Sequence, residues 1–453
     1  MRPARLASVL ALFLIAAGAW IVAGCEREAE RVMTVTVTVG GDATESAGKR
    51  DLRDMTRLVE GPLQPSKSGH LAYVASDGNV YVVDPSTAAT VRVTRDRSSA
   101  GTGFGIFHSG LAWSSAGELA FARSNIDTFT SALSRTVPGT GKVTRVTPEI
   151  GMLIYASWSP ASCDGSGCTE LAYIADVDGE PGGKVALQVL DVPARSPSRS
   201  ILEQRADQIY FAWTKDRGTL VRHVLGRRSR LEEVDIAAGT ATRIGGRLAP
   251  FLAPAVTSGR VVYPVAGAAA EPSVTVTDSA VVVHVPGDSR RVAFAPSPDG
   301  RRLAFAVRHR PELTPPQAFE EPWIADLETG EIVRVGPTLW TEAFYWSPDG
   351  KRLAYLTWLD NNYRRFNQWR IFDAVTQRDT GSVSFEPTST FDTLTTFFDQ
   401  FGQSHSFWSP DGRYLAYAAV APDGRDQVWL LDTLGDAEPV LVADGVVAVF
   451  SRN

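Results

Sequence analysis

The chain has 453 residues, 44% of them hydrophobic, and includes 11 tryptophans and 20 phenylalanines. Its 45 basic and 51 acidic residues give a net charge of −6, which argues against a nucleic acid partner. The length would suit two or three average domains, but closed all-β folds commonly reach this size as one unit.

The first 25 residues have the layout of a secretory signal. Two arginines precede an uncharged apolar run, Leu6–Gly24, which ends at Cys25. The small residues before the cysteine resemble the lipobox of bacterial lipoproteins. That resemblance implies removal of residues 1–24 and lipidation of Cys25, with the chain anchored to the outer face of a bacterial membrane. The alternative is an uncleaved transmembrane anchor, since about 20 apolar residues span a bilayer.

Residues 25–57 are predicted to form a tether between this anchor and the folded domain. Within them, Val32–Val39 alternates valine with threonine or methionine, and small polar residues follow. Alternation is typical of a strand, so this run could instead add to the edge of a sheet. We place the folded domain at residues 58–453.

A pentapeptide repeat characterises that domain. Trp-Ser-Pro-Asp-Gly occupies residues 346–350 and 408–412, and Pro-Ser-Pro-Asp-Gly occupies residues 296–300. Two residues later each copy continues as Leu-Ala-Tyr or Leu-Ala-Phe. A period of about 40–50 residues with several short strands is typical of β-propeller blades. The sequence therefore predicts an all-β fold formed by a single β-propeller.

The repeat divides the domain into eight units, so we predict eight blades. The fifth unit, residues 250–285, lacks the pentapeptide, which leaves seven blades as the alternative. The first unit has no clear inner strand, whereas the chain ends in the strand-like residues 446–451. We predict that this C-terminal strand joins the first unit, closes the ring and leaves no exposed sheet edge. The alternative makes it the fourth strand of the last blade.

The pentapeptide has a structural role in such a fold. Tryptophan can pack between blades, proline restricts the backbone after a strand, and Asp-Gly forms a tight turn. An aspartate repeated once per blade is therefore not interpreted as catalytic. From about residue 60 onward the chain resembles the TolB-like family of bacterial propellers, whose repeat is often called PD40. It resembles, more distantly, the propeller half of dipeptidyl peptidase IV-type enzymes. The first resemblance implies an exported binding or assembly module.

The remaining cysteines, Cys163 and Cys168, are separated by Asp-Gly-Ser-Gly. In an oxidising compartment this pair is predicted to form a disulfide. Free thiols or half of a metal site are the alternatives, but no second cysteine pair is available for a metal.

Signals of catalysis are sparse. The sequence has no Gly-x-Ser-x-Gly elbow and no His-Glu-x-x-His motif, and its six histidines are scattered. We therefore predict a protein that is not an enzyme and has no catalytic residues, metal or cofactor.

One stretch, residues 391–406, does not fit the repeat. Its phenylalanines have roughly helical spacing, and Asp399, Gln400 and His405 place polar groups just before an inner strand. Inner strands begin near the mouth of the central channel, so these three residues are the candidate ligand-binding site. The alternative is a short helix whose phenylalanines fill a gap between blades. A second irregular stretch, Trp358–Phe366, is rich in aromatic residues and arginine and suits a loop facing a partner.

Three functions are compatible with these features. The favoured one is a membrane-tethered, non-enzymatic propeller that binds a protein, peptide or glycan of the cell envelope. The second is an envelope hydrolase or lyase with His405 and Asp399 as acid and base at the channel mouth. The third is a structural component that acts through oligomer contacts.

Cys25→Ser tests the cellular address. In a bacterial host fed labelled palmitate, the wild-type chain should incorporate label and sediment with membranes. The variant should lose the label, because two acyl chains attached at the cysteine are what anchors the protein stably. Label retained in the variant would contradict lipidation at this residue.

Overall fold

The computed structural model describes Leu52 and residues 57–59, 63–64 and 66–452, with short gaps. The gaps are residues 97–104, 165–166, 178–182, 194–197, 215–217, 226–228, 246–252, 267–271, 277–281, 285–291, 309–317, 321, 338–339, 362–363, 402–403 and 436–437. The predicted signal, the lipidation site Cys25 and the alternating run Val32–Val39 lie outside the described residues.

Nearly all regular structure in the described residues is antiparallel sheet, and it follows the sequence units. The strands of units one to four are β1 (Arg57–Leu58), β2 (Leu71–Ala75), β3 (Val80–Val83), β4 (Ala89–Arg92), β5 (Ile106–Trp113), β6 (Leu119–Asn125), β7 (Thr130–Thr136), β8 (Val143–Arg145), β9 (Ile150–Gly151), β10 (Leu153–Trp158), β11 (Cys163–Asp164), β12 (Gly167–Cys168), β13 (Glu170–Asp176), β14 (Val185–Asp191), β15 (Arg199–Ala206), β16 (Gln208–Trp213), β17 (Thr219–Leu225), β18 (Arg230–Asp235) and β19 (Thr240–Ile244).

Units five to eight continue the pattern, with one helical insertion between units seven and eight. Their elements are β20 (Ala255–Thr257), β21 (Arg260–Ala266), β22 (Pro272–Val276), β23 (Val282–His284), β24 (Val292–Pro296), β25 (Arg302–Val307), β26 (Pro322–Asp326), β27 (Ile332–Arg334), β28 (Thr341–Trp346), β29 (Arg352–Asn361), β30 (Arg364–Asp373), β31 (Arg378–Phe385), α1 (Ser389–Thr396), α2 (Phe398–Phe401), β32 (Tyr414–Val420), β33 (Asp426–Asp432) and β34 (Val440–Phe450). A short 3₁₀ helix covers Pro160–Ser162.

Units two to seven each form one sheet of four or five strands. Unit three carries in addition the separate hairpin β11–β12. Within the described chain, no helix is long and apolar enough to cross a membrane.

Units one and eight share the last strand, β34. Its first half pairs with β33 of unit eight, from Val440 opposite Leu430 to Asp444 opposite Gln427. Its second half pairs with β2 of unit one, where Phe450 lies opposite Leu71. The two units thus form one seven-stranded sheet.

Five tryptophans link the innermost strands of neighbouring units. Each is buried and donates its indole N–H to a backbone carbonyl of the preceding unit, so that the polar tip of the ring is satisfied. The donor and acceptor pairs are Trp113 to Val449, Trp158 to Ala112, Trp213 to Ser157, Trp346 to Ala295 and Trp408 to Tyr345, at 2.9–3.2 Å. For Trp113 the acceptor, Val449, lies in the last strand, β34.

Each of the three pentapeptide copies forms a closed turn. In the copy at 346–350, Ser347 donates its hydroxyl hydrogen to Asp349 Oδ1 at 2.6 Å and accepts the backbone N–H of Arg352 at 3.0 Å. Gly350 has φ +68°, which an L-residue rarely adopts. The copies at 296–300 and 408–412 repeat these bonds, so the repeated aspartates serve the turns.

The prediction of an all-β propeller is confirmed. That the ring has eight blades and not seven, and that β34 closes it, stay predictions, because units one and eight are continuous through one strand. The pairing of β34 with β2 and the bond from Trp113 support both. The domain boundaries at residues 24 and 57 stay predictions as well.

Val447→Asp tests the role of β34. Val447 is 5% exposed and pairs with Val74, so a carboxylate there would be buried without a partner. If β34 closes the ring, the full-length protein should lose about 3 kcal/mol or more of stability in one cooperative urea transition. Val143→Asp, at a 44% exposed position of the outer strand β8, is the control and should change little. Equal unfolding midpoints for the two variants would contradict closure by β34.

Candidate functional site

The stretch at residues 391–406 belongs to a helical insertion that leads from β31 to the inner strand of unit eight. Helix α1 begins after Thr388, whose hydroxyl accepts the N–H of Phe391 at 3.2 Å. Asp392, in the first turn, stabilises the N-terminus of α1 because its negative charge interacts favourably with the helix dipole. From the sequence, helical spacing was expected for Phe397, Phe398 and Phe401, all of which follow α1. Thr388, which can cap a helix, and Asp392, an acidic residue in the first turn, are the sequence signals from which the start of α1 could have been predicted.

Phenylalanines of the insertion fill the space above the inner strands. Phe398 is 4% exposed, and its ring centroid lies 4.7 Å from that of Phe344 and 6.0 Å from that of Tyr345. Phe391 is fully buried and lies 5.2 Å from Phe407. For these two rings the structure agrees with the gap-filling alternative. The side chain of Phe401 lies outside the described residues.

A buried carboxylate, Glu342, fastens the insertion to unit seven. Glu342 is fully buried at the start of β28. Its Oε1 accepts the hydroxyl of Thr395 in α1 at 2.7 Å, and its Oε2 accepts the side-chain amide of Asn367 in β30 at 2.8 Å. Such bonds offset part of the cost of removing the carboxylate from water. Sequence reasoning missed Glu342, because nothing within β28 indicates that a helix 50 residues later lies over it.

The three candidate residues lie on the insertion and just after it. Asp399 and Gln400 are half-buried in α2, which contacts the inner strands β24 and β28. Burial, with the charges of Glu342 and Asp399, raises the pKa of Tyr345 well above its ordinary value. His405 is half-buried, with its Nδ1 3.4 Å from the hydroxyl of Ser404. The ligand-binding role of Asp399, Gln400 and His405 stays a prediction.

The insertion reaches across the ring. Burial raises the pKa of Tyr155, in the inner strand of unit three, to about 12, and the neighbouring Ser404 and Arg452 oppose that shift. Ser404 lies at the exit of the insertion in unit eight, so the chain there approaches a strand three units away. That Asp399, Gln400 and His405 lie near the mouth of the central channel stays a prediction.

A groove lies next to the insertion, between units seven and eight. Its volume is about 510 Å³, and its walls include aromatic side chains from both units together with two glutamates: Phe366, Phe385, Tyr417, Trp429, Glu386 and Glu438. Phe385 and Tyr417 pack together with centroids 4.6 Å apart. Burial, and less strongly the charge of Glu438, raises the pKa of Tyr417 well above its ordinary value. We call this site the blade groove. It was not identified from the sequence.

One wall of the blade groove comes from the second irregular stretch. Trp358–Phe366 was expected to be a loop, but its described residues extend strands β29 and β30 to ten residues each. Phe366 lies opposite Leu359 in this extension. The residues whose aromatic character suggested a loop facing a partner therefore belong to a long hairpin. The ring of one of them, Phe366, lies in the groove wall.

Two further features were considered from the sequence, the cysteine pair and a metal site. Cys163 and Cys168 are joined in a disulfide, with Cα atoms 4.0 Å apart, within the hairpin β11–β12. No group of three or more His, Cys, Asp or Glu side chains in the described part of the chain is placed to hold a metal ion.

No protein-family model and no curated protein matches the chain. Among solved structures it is similar to the dihydro-heme d1 dehydrogenase NirN in complex with DHE (14% identity, TM-score 0.53, 91% of this chain and 84% of that one). It is also similar to prolyl endopeptidases (12%, TM-score 0.52, 81% and 53%) and to TolB from Acinetobacter baumannii (15%, TM-score 0.38, 71% and 65%).

At these identities the similarity shows the fold alone. The chain spans 65% of the TolB structure and about half of the prolyl endopeptidases. Together with the sheets described above, the similar structures establish that the chain has the β-propeller fold that its TolB-like repeats predicted. A fold of this kind carries binding proteins and enzymes alike.

Thr388→Ala tests how the insertion is held. The buried hydroxyl of Thr388 caps α1 and also donates to the carbonyl of Val446 in β34 at 2.6 Å. Its removal should cost about 1–3 kcal/mol, because a helix cap is lost and a buried carbonyl loses its donor. Thr388→Ser, which keeps the hydroxyl, should cost less than about 1 kcal/mol. Urea midpoints that are equal for the two variants would contradict the role of the hydroxyl.

Proposed function

We propose that the protein is a non-enzymatic propeller of the cell envelope, tethered to a membrane through Cys25, which binds a protein, peptide or glycan partner beside its helical insertion. The observation that carries the proposal is the blade groove. Its volume of about 510 Å³ falls within the roughly 300–1,000 Å³ of ligand pockets. Tyrosine and tryptophan in its wall are residues that dominate binding energies at interfaces.

The arrangement of the insertion supports this proposal. Binding residues are usually carried by segments that a rigid scaffold positions. Here α1 is held by Thr388 to β34 and by Thr395 to Glu342, so the insertion is fixed to units one and seven. The wall residues Val383–Glu386 lead directly into it. A partner seated in the groove would therefore contact a preorganised surface, which lowers the entropic cost of binding.

The attachment of the tether is compatible with such a partner. Strand β1 pairs in parallel with β4 at the outer edge of unit one, with Arg57 opposite Ala89. The tether would leave the propeller at this edge and not through the groove between units seven and eight. Residues 25–57 can extend at most about 110 Å, enough for the domain to reach partners away from the membrane surface.

Capture from solubilised cell envelope tests the proposal. The full-length protein in detergent should retain a specific partner, and Trp429→Ala, which removes a ring from the groove wall, should retain at least about 10-fold less, a loss of about 1.4 kcal/mol. Asp399→Ala/His405→Ala tests whether the candidate residues of the insertion take part as well. His70→Ala/Asp127→Ala, which changes the same residue types in units one and two, is the matched control. Far-ultraviolet circular dichroism establishes that each variant is folded.

Two results would count against the proposal. If wild type, Trp429→Ala and the control capture the same partner equally, binding does not use the blade groove. If the wild type captures nothing but hydrolyses or cleaves an envelope component, and His405→Ala loses that turnover while it stays folded, the protein is the envelope hydrolase or lyase considered above.

A further inference from the structure

The chemistry of the blade groove is selective. Four aromatic side chains, Phe366, Phe385, Tyr417 and Trp429, provide its apolar walls. Among the described residues that line it, the charged ones are Glu386 and Glu438, and none is basic. Aromatic faces together with the negative charge of these two described glutamates are complementary to a cation that carries an apolar body.

We infer that the blade groove binds a peptide segment that presents a lysine or arginine next to apolar side chains. This inference rests on the proposed function and names the class of partner for the same site. The two carboxylates come from different walls, since Glu386 follows β31 of unit seven and Glu438 precedes β34 of unit eight. A basic side chain in the groove would meet negative charge from both units, and a charge-assisted hydrogen bond is roughly twice as strong as a neutral one.

The aromatic residues add a second contribution to the same preference. Trp429 is half-buried, so part of its ring faces the groove, while Tyr417 is 3% exposed and Phe385 is 6% exposed beneath it. Ammonium and guanidinium groups are attracted to such ring faces, most strongly to tryptophan. The methylene groups of a lysine or arginine would cover the apolar wall at the same time.

The walls of the groove are held in place before a ligand arrives. The backbone N–H of Val420 donates to the carbonyl of Glu386 at 2.8 Å, which joins the end of unit seven to the hairpin of unit eight. Phe385 packs on Tyr417 across the same boundary. The volume of about 510 Å³ greatly exceeds one ammonium group, so the neighbouring side chains of a peptide fit as well.

A peptide array provides the test. Full-length protein in detergent is applied to heptapeptides whose central residue is lysine, arginine, norleucine or glutamate, flanked by alanine, leucine, phenylalanine or proline. The tightest sequences are then measured by fluorescence anisotropy. We expect lysine or arginine at the centre of the best binders, at least about 10-fold weaker binding when glutamate replaces it, and weaker binding at high salt.

Variants locate that preference in the groove. Glu386→Gln/Glu438→Gln should bind the basic peptides at least about 10-fold more weakly, and Trp429→Ala should weaken lysine and norleucine peptides alike. Glu328→Gln/Glu331→Gln removes two exposed glutamates from unit six and is the matched control, with the same change of charge. It should bind as the wild type does.

The outcomes separate this inference from the proposed function. Best binders without a basic residue, or a lysine preference that survives Glu386→Gln/Glu438→Gln, would overturn the inference. If an envelope partner is captured in the same preparation, the proposed binding function stands. If no heptapeptide binds and no partner is captured, both fail.

Discussion

The bond from a tryptophan indole to the backbone of the preceding unit is the interaction on which the remaining structure depends. It sets the position of each inner strand relative to the next one. In every case the acceptor is the residue just before the position in the preceding unit that corresponds to the tryptophan. Trp346 binds Ala295, and Trp408 binds Tyr345. Four of these bonds join residues 46–63 positions apart and the fifth, from Trp113 to Val449, joins residues 336 apart, so they couple units and not neighbours in sequence. Each ring is buried together with its bond.

Arginines add a second set of links at the turns. Arg260, Arg302 and Arg352 each donate to the carbonyl of the turn glycine in the following unit, Gly300, Gly350 and Gly412 respectively. After two of the three Pro-Asp-Gly copies the second basic residue, Arg302 or Arg352, is therefore a connector, whereas Arg413 after the third copy pairs with Asp432 of its own unit. Unit five lacks the tryptophan, and there the hydroxyl of Thr257 donates to the carbonyl of Ser297 at 2.8 Å. The degenerate unit keeps a connection to its neighbour by a different donor.

This framework places the helical insertion where a partner could be bound. Phe450 donates its backbone N–H to Ser406, and Thr388 donates to Val446, so β34 holds the insertion at both ends. If β34 closes the ring as predicted, the stability of the ring and the geometry of the insertion are coupled through this strand. The blade groove lies beside the insertion, between units seven and eight, and Phe366 of the long hairpin β29–β30 contributes to one wall.

Much of the fold could be predicted from the sequence, because its signals are local. The turn Ser-Pro-Asp-Gly-x-x is closed by bonds within five residues, and strand alternation is visible in each segment. The insertion was recognised as a departure from the repeat. Its first helix was missed, since the cap at Thr388 lies before the stretch that broke the pattern. The sequence indicated three candidate residues, Asp399, Gln400 and His405, by residue type and position alone. It gave no information on which side chains surround them in the folded chain.

The sequence by itself determined the repeat, the propeller it forms and the turn chemistry that each unit reuses. Only the tertiary structure decided which side chains meet. Trp113 and Val449 are 336 residues apart, and Thr395 meets Glu342 across 53. Such contacts depend on how the units are arranged around the ring, and no pattern within a single unit encodes that arrangement. The blade groove has the same origin, because its two glutamates and four aromatic rings become neighbours only when units seven and eight pack side by side.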